Sequence, residues 1–229
     1  NPVAEVWLGP NRLATDSRGV YFVNEGDAIT LMGQADDSSN DLSSLMHIWS
    51  PDAEELPELN QTIIGRTSTV NYTYNYSGMH LATLLVLDDD MESTEMLVVP
   101  IQVENLPPSI DPIPSPETVD EDEEITIETS VVDTPNDMAN LTYCFDTSPS
   151  EDVDLDGDPA NDCDIQSHKL VHSWPDASTA PEFIVFHVTD DDGDHDSVEI
   201  PIHVTNAPPT AMASTNSVNP TEGGTIVLS

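Results

Sequence analysis

The sequence predicts an all-β chain of tandem antiparallel β-sandwiches, and a repeated hairpin carries this prediction. Apolar and polar residues alternate on both sides of an Asp/Gly cluster in residues 186–203, which is the pattern of an antiparallel hairpin. The same order of strand, acidic turn and strand occurs in residues 85–103. A proline pair follows each hairpin, at residues 107–108 and 208–209, and ends the strand because proline has no amide to donate.

The distance between the two copies sets the size of the module. Pro100 and Pro201 hold the same place in the two hairpins. The repeat is therefore about 100 residues long, which is typical of an immunoglobulin-like sandwich. We predict a first module at residues 1–106 and a second at 107–207, and residues 208–229 then begin a third.

An acidic turn that leads into a strand is the second repeated element. It occurs at residues 25–31, 121–127 and 222–228, and three copies of one element indicate tandem repetition. Each complete module also has a central strand with one large aromatic residue, Trp49 or Phe145, which we expect to fill its core.

The last segment supports two interpretations. Residues 208–229 supply about two strands, and two strands cannot bury a core. Either the third module continues beyond this sequence, or the segment donates a strand to a neighbouring subunit. The second arrangement would join subunits into a homopolymer through main-chain hydrogen bonds.

The charge of the chain restricts its partners. There are 44 acidic residues against 4 basic ones, and the formal net charge is −40. Such a chain repels nucleic acid and anionic membranes, so metal cations are its natural counter-ions. Self-repulsion on this scale destabilises a compact state at low ionic strength. The charge indicates either a halophilic, marine or calcium-containing setting, or simply a highly soluble surface.

Several functional classes find no support in the sequence. The sequence contains no apolar run of about 18 residues, which is the length that a membrane-spanning helix needs. There is no Gly-x-Ser-x-Gly turn, phosphate-binding loop or Cys-x-x-Cys motif. His168 and His172 lie four residues apart, but the segment between them lacks the glutamate of a metalloprotease helix. We therefore predict no enzymatic activity.

The order of these elements resembles a known group of modules. The acidic turn, the Leu-x-Tyr-x-Phe-Asp phrase at 141–146, the Asp-Asp-Asp-Gly turn at 190–193 and Asn-x-Pro-Pro at 206–209 resemble tandem PKD domains. They are also similar to cadherin-like and other immunoglobulin-like modules of prokaryotic surface proteins. The Trp-Asp-Phe-Gly-Asp phrase of PKD domains is replaced here, at residues 47–51 and 143–147. The resemblance implies a cell-surface or extracellular setting.

An aspartate-rich loop is the sharpest candidate metal site. Aspartates at alternate positions followed by glycine bring carboxylates around one point, and Ca²⁺ takes six to eight oxygen ligands. The spacing matches the start of an EF-hand loop, but Cys163 stands at the twelfth position and no flanking helix is predicted. The phrase resembles thrombospondin type 3 and dockerin-like calcium repeats. The predicted calcium ligands are Asp152, Asp154, Asp156, Asp158, Asp162 and Asp164. A solvated acidic loop is the alternative.

The two cysteines, Cys144 and Cys163, bracket this loop. A disulfide between them would stabilise the fold by ~3 kcal/mol in the chain-entropy model and would indicate an oxidising compartment. The alternative is two unrelated buried thiols.

Glycosylation sequons at Asn60, Asn71, Asn75 and Asn140 are compatible with an extracellular setting.

A second cation site is expected between the modules. The B–C and F–G loops of such a sandwich cluster at one end, which should face the preceding linker. The arrangement resembles a cadherin junction, where calcium stiffens the hinge. The candidate ligands are Glu25, Glu104, Asn105, Asp133, Asn136, Asp137 and Asp190.

These observations predict a non-enzymatic structural or adhesion segment, a calcium-stiffened rod of modules in a cell-surface protein, filament or surface layer. Its predicted partners are neighbouring modules or subunits of the same protein. The alternative is an accessory binding or spacer module of a secreted hydrolase. A row of exposed aromatic residues would favour that role, but only 5% of the residues are aromatic and most lie at predicted core positions.

Overall fold

The computed structural model describes residues 2–38, 42–52, 62–90, 92–113, 118–153, 155, 157–159, 161–212, 214 and 222–223. Across these residues the regular structure consists of β-strands and one short 3₁₀ helix, so the all-β prediction is confirmed. None of the described segments forms a helix long and apolar enough to cross a membrane. Asn60, Asp154, Asp156 and most of 208–229 lie outside the described residues, so the two interpretations of the last segment stay open.

The first module is a sandwich of two four-stranded sheets. One sheet has the order β2-β1-β4-β6 and the other has the order β3-β8-β7-β5. The strands are β1 Val3–Leu8, β2 Asn11–Arg12, β3 Tyr21–Asn24, β4 Ala28–Gln34, β5 Met46–Ser50, β6 Thr69–Thr73, β7 Gly78–Leu87 and β8 Leu97–Glu104. All neighbours are antiparallel except β3 and β8, which run parallel. This order of strands is immunoglobulin-like.

The second module repeats this plan with more interrupted strands. Its largest sheet has the order β13-β15-β16. The pairs β9-β12, β10-β17 and β11-β14 form three further two-stranded sheets of this module. The strands are β9 Ser109–Ile110, β10 Val119–Asp120, β11 Ile125–Glu128, β12 Val131–Val132, β13 Thr142–Asp146, β14 Lys169–His172, β15 Glu182–Thr189, β16 His195–Ile202 and β17 Val204–Thr205. The parallel pair β10-β17 corresponds to β3-β8.

The repeated prolines lie where this topology tolerates them. Pro100 pairs with Leu81 of β7, and the parallel neighbour β3 begins one residue later, opposite Ile101. Pro201 pairs with Phe183 of β15 in the same way, on the outer strand of its sheet. At both positions the strand has only one neighbour, and proline is accepted on such an edge because no second ladder needs its missing amide.

Each module has its own hydrophobic core, as the alternating strands require. One cluster of buried residues is centred on Trp49 and the other on Phe145, and both side chains are fully buried. The indole Nε1 of Trp49 donates to the Thr67 carbonyl at 3.2 Å, while the Phe145 ring packs 4.8 Å from that of Phe186. The predicted domain boundaries themselves stay predictions.

Candidate metal centres

Three carboxylates from two modules meet at the junction. Glu25, Asp133 and Asp137 each present one oxygen, and these three oxygens lie within 4.8 Å of one another. Glu25 stands in the turn between β3 and β4, immediately before Gly26, whose φ of +75° makes the turn possible without strain. Asp133 follows β12, and Asp137 begins the 3₁₀ helix Asp137–Ala139. The long-range packing of the modules therefore creates this group.

Backbone and hydroxyl donors hold one side of each carboxylate. Leu106 N–H donates to Glu25 Oε1 at 3.0 Å, and Thr134 N–H donates to Asp133 Oδ1 at 2.7 Å. The Thr134 hydroxyl donates to Asp137 Oδ2 at 2.8 Å. The remaining oxygens Glu25 Oε2 and Asp133 Oδ2 are buried and have no hydrogen-bond partner among the described residues. Buried oxygens without a partner are rare and unfavourable, so these two oxygens are candidate ligand atoms.

Asn105 ties the linker to the F–G loop of the second module. Its Nδ2 donates to Asp190 Oδ2 at 2.8 Å and to Asp194 Oδ2 at 2.9 Å. Asp190 is itself buried, and its Oδ1 accepts the Asp194 N–H at 2.8 Å. Asn105 Oδ1 is a third buried oxygen without a partner in the described structure. One side chain thus connects the two modules and leaves an acceptor available.

Burial and mutual repulsion dominate the electrostatics of the junction. Removal from water raises the pKa of Glu25 to about 7, and the adjacent charge of Asp137 adds to this effect. Burial likewise raises the pKa of Asp133, and the Asp137 and Asp190 charges contribute. With only 1% of Glu25 exposed, solvent screens these charges little.

No basic side chain neutralises this group. The chain has four lysine and arginine residues in total. Three of them form ion pairs elsewhere, Arg12 with Glu5, Arg18 with Asp16 and Lys169 with Glu128. The fourth, Arg66, directs Nη1 towards the sulfur of Met46 at 3.8 Å. None of the contacts described for these four residues is with the junction carboxylates.

The other predicted junction residues take different places. The Glu104 side chain is exposed, and the residue contributes its carbonyl oxygen, which accepts Glu25 N–H at 3.0 Å. Asn136 approaches Asp137 Oδ1 with its amide at 3.5 Å. Asp194 was not among the predicted ligands, yet it lies in the same Asp-rich F–G turn as Asp190 and its Oδ2 accepts the Asn105 amide. Glu25 and Asp133 also border an open cleft of about 590 Å³.

The Asp-rich loop is held by hydrogen bonds at both of its ends. Gly157 N–H donates to Asp152 Oδ2 at 3.0 Å, and Val153 N–H donates to Asp162 Oδ2 at 2.6 Å. Asp152 Oδ1 is buried and has no partner in the described part of the loop. At the far end, Asp164 Oδ2 accepts both the N–H and the hydroxyl of Thr147, which lowers the pKa of Asp164. Asp158 is exposed, and calcium binding by this loop stays a prediction.

The predicted disulfide is confirmed. Cys144 and Cys163 are bonded, with their Cα atoms 5.5 Å apart, so the two ends of the Asp-rich loop are covalently joined beside β13. The sequon asparagines Asn71, Asn75 and Asn140 are exposed. Asn140 Nδ2 donates to Asp191 Oδ2 at 3.1 Å, close to the junction.

Comparison with known proteins gives structural likeness only. No protein-family model and no curated protein matches the chain. Among solved structures, the fibronectin(III)-like modules of CbhA from Clostridium thermocellum are 14% identical, with 88% of this chain and 94% of that chain covered and a TM-score of 0.31. Three N-terminal domains of the highly immunogenic outer capsid protein of bacteriophage RB49 are 19% identical, covering 79% and 55%, with a TM-score of 0.37. Drosophila N-cadherin EC1-3 is 12% identical, covering 85% and 66%, with a TM-score of 0.31.

The chain thus spans less than two thirds of the capsid and cadherin chains that it matches. All three TM-scores are low, so the immunoglobulin-like fold rests on the strand order and pairing described above.

Proposed function

We propose that this chain is a non-enzymatic extracellular segment whose β-sandwich modules form a calcium-stiffened rod in a cell-surface protein, filament or surface layer. The observation that carries the proposal is the Glu25, Asp133 and Asp137 group, which joins two modules and has buried oxygens without partners. The disulfide supports an oxidising compartment. A spacing role needs a stiff connection between modules, and the junction provides the groups for one.

The donor set suits calcium better than other common cations. It consists of oxygens alone, Glu25 Oε2, Asp133 Oδ2 and an Asp137 oxygen, with Asn105 Oδ1 at the same junction. Hard oxygen ligands without thiolate or imidazole favour Ca²⁺ or Mg²⁺ over transition metals. Ca²⁺ accepts irregular sets of six to eight oxygens, whereas Mg²⁺ demands a near-ideal octahedron. Carboxylates from two modules with waters completing the shell match the first description.

Calcium would stiffen the rod by changing the sign of an interaction. Without a cation, the buried carboxylates of Glu25 and Asp137 and the half-buried carboxylate of Asp133 repel one another, and separating the modules relieves that repulsion. A bound cation attracts all three, so separation then has to break metal–ligand contacts. The linker already limits bending. Asn105 is hydrogen-bonded to the second module and Leu106 to the first, and two prolines follow them. The neighbouring modules or subunits of the same protein would be its partners.

The experiment combines small-angle scattering with thermal unfolding, in excess chelator and in millimolar calcium, at one high ionic strength. The test variant is Glu25→Gln. The matched control is Glu121→Gln, because Glu121 holds the same place in the second module and accepts Ala207 N–H at 3.2 Å. We expect calcium to lengthen the particle and raise the melting temperature in the parent and the control, but not to lengthen it in Glu25→Gln.

In chelator, Glu25→Gln should be at least as stable as the parent because it removes a buried charge. Equal lengthening of Glu25→Gln and Glu121→Gln by calcium would overturn the junction site. No effect of calcium on the parent would overturn the calcium-stiffened rod and leave the accessory spacer role of a secreted hydrolase as the alternative.

A further inference from the structure

Asp146 is a buried charged residue that the junction does not use. It is the last residue of β13, pairs with Val185 and has no exposed surface. Ser50 holds the corresponding place at the end of β5, where it pairs with Thr83. At both places the chain then leaves the sheet and returns through a bridge, from Trp49 to Gly65 and from Phe145 to Ile165. The second module thus places a carboxylate where the first has a neutral hydroxyl.

Half of this carboxylate is unsatisfied. Ser148 N–H donates to Asp146 Oδ1 at 2.8 Å, whereas Asp146 Oδ2 is buried and has no partner within the described structure. Burial raises the pKa of Asp146, and the charges of Asp164 and Asp162 add to the effect. A fully buried carboxylate with one unpaired oxygen and two acidic neighbours is strongly unfavourable unless a proton or a cation compensates for it.

The chain holds those acidic neighbours in place. Asp162 and Asp164 flank Cys163, and the disulfide to Cys144 fixes this segment beside β13. Asp164 N–H donates to the Phe145 carbonyl at 3.0 Å. Ser148 links the two carboxylates, because its N–H donates to Asp146 and its hydroxyl donates to Asp164 Oδ2 at 3.4 Å. Asp162 is itself only 4% exposed.

We propose that Asp146 is the anchoring ligand of a second calcium site, at the base of the 147–164 excursion, with Asp162 and Asp164 as its partners. Asp146 is the last residue of β13, so the ion would fasten the Asp-rich loop to that strand in addition to the disulfide. Among the described residues, only the junction group brings one oxygen from each of three carboxylates within 4.8 Å, so the carboxylates of Asp146, Asp162 and Asp164 are more widely spaced. Calcium binding therefore draws the base of the excursion together.

The Asp146 site shares no ligand with the junction, so calcium binding at the two sites can be measured separately. All proteins carry Glu25→Gln, which removes a junction ligand. Calcium binding is then measured by titration calorimetry at fixed ionic strength for this background, for the background with Asp146→Asn, and for the background with Asp176→Asn. Asp176 is an exposed aspartate of the same module, so the control makes the same chemical change on the surface.

We expect Asp146→Asn to weaken calcium binding by at least about tenfold, since loss of groups around a metal commonly has effects of that size. Asp176→Asn should bind as the background does. Equal affinity and stoichiometry in Asp146→Asn and the background would overturn the proposal and leave any bound calcium to the outer part of the loop. Absence of calcium binding by the background would also overturn it.

A second readout follows the disulfide. Cys163 is exposed, so a soluble reductant can reach it. Calcium that fastens the base should slow reduction in the background protein and have no such effect in Asp146→Asn. Should Asp146→Asn fail to fold in chelator, Asp146→Ser replaces it, because the first module accommodates serine at this place. Equal protection by calcium with and without Asp146 would contradict the site.

Discussion

Glu25 accepts a hydrogen bond of 3.0 Å from the backbone N–H of Leu106, so the acidic turn of the first module is tied to the linker that follows it. The second module repeats the bond, from Ala207 to Oε1 of Glu121 at 3.2 Å. The second oxygen distinguishes them. Glu121 Oε2 accepts Ala177 N–H at 3.1 Å, whereas Glu25 Oε2 has no partner among the described residues. The repeat thus preserves a backbone anchor. The remaining oxygen of Glu121 is occupied by an amide of its own module, whereas Glu25 lies beside two carboxylates of the next module.

Loss of the Asn105 side chain should loosen the junction. Asn105→Ala removes both donors to Asp190 and Asp194, and hydrogen bonds to charged groups contribute about 1.5–3 kcal/mol each. We expect amide hydrogen exchange in the 190–194 turn to accelerate and the scattering profile to indicate a wider range of module orientations, with and without calcium. Asn206→Ala is the matched control, because the Asn206 amide donates only to the neighbouring Ala207 carbonyl among the contacts described. Identical exchange in the two variants would contradict this role.

The stability of the first module should fall in mild acid through His47. Burial lowers the pKa of His47 below its ordinary 6.5. As the pH falls through 6.5, the unfolded chain takes up a proton at this residue before the folded chain does, so the free energy of unfolding decreases. Above that pH both states are neutral at His47 and its contribution is constant.

The measurement is denaturant unfolding between pH 5 and 8 for the parent, His47→Asn and the exposed-site control His195→Asn. The carboxylates titrate in all three proteins, so the difference between parent and variant isolates the histidine. His47→Asn should show a shallower loss of stability on acidification, and His195→Asn should follow the parent. If the stability of His47→Asn depends on pH as that of the parent does, this histidine does not cause the loss of stability in mild acid.

Removal of the disulfide should destabilise the second module alone. Cys144 and Cys163 are 19 positions apart, which corresponds to ~3 kcal/mol in the chain-entropy model of loop closure. The double variant Cys144→Ser/Cys163→Ser should lower the denaturant midpoint for unfolding of the second module, whose core contains Phe145. Amide hydrogen exchange in the strands around Trp49 should be unchanged, because this residue packs in the other core. A parallel loss in both modules would mean that they unfold as one unit.

A methyl group at Gly33 should not fit the first core. A Cβ at this position would lie 2.6 Å from Leu84 Cδ2 and 2.9 Å from Trp49 Cζ2. Overpacking of this kind destabilises by about 1–3 kcal/mol, so Gly33→Ala should lower the melting temperature of the first module. The second module serves as the internal control. An unchanged first transition would show that Trp49 and Leu84 can move aside.

The strands, the repeat and the disulfide could be predicted from the sequence because their signals are local. Alternation with a period of two marks a half-buried strand wherever it occurs, and Pro100 and Pro201 mark the same edge position in each copy. The two cysteines had only each other as partners. Trp49 and Phe145 were identified as core residues because large aromatic residues on a central strand have few other places to go.

Which of the 44 acidic residues are buried could not be predicted in the same way. The topology predicted that Glu25, Asp133 and Asp137 would approach one another, since loops at one end of a sandwich cluster. It did not distinguish Glu104, whose side chain is exposed, from Glu25, whose side chain is buried. Nor did it identify Asp146, which looks like any aspartate at the end of a strand.

The sequence by itself therefore determined the β-sandwich modules, their order and the covalent closure of the Asp-rich loop. The tertiary structure alone decided which carboxylate oxygens lose water and find no donor. The physical reason is that a strand pattern depends on neighbours along the chain, whereas the solvation of one oxygen depends on segments far apart in sequence. Glu25 and Asp146 are two of the described residues at which that packing leaves a buried carboxylate oxygen without a donor.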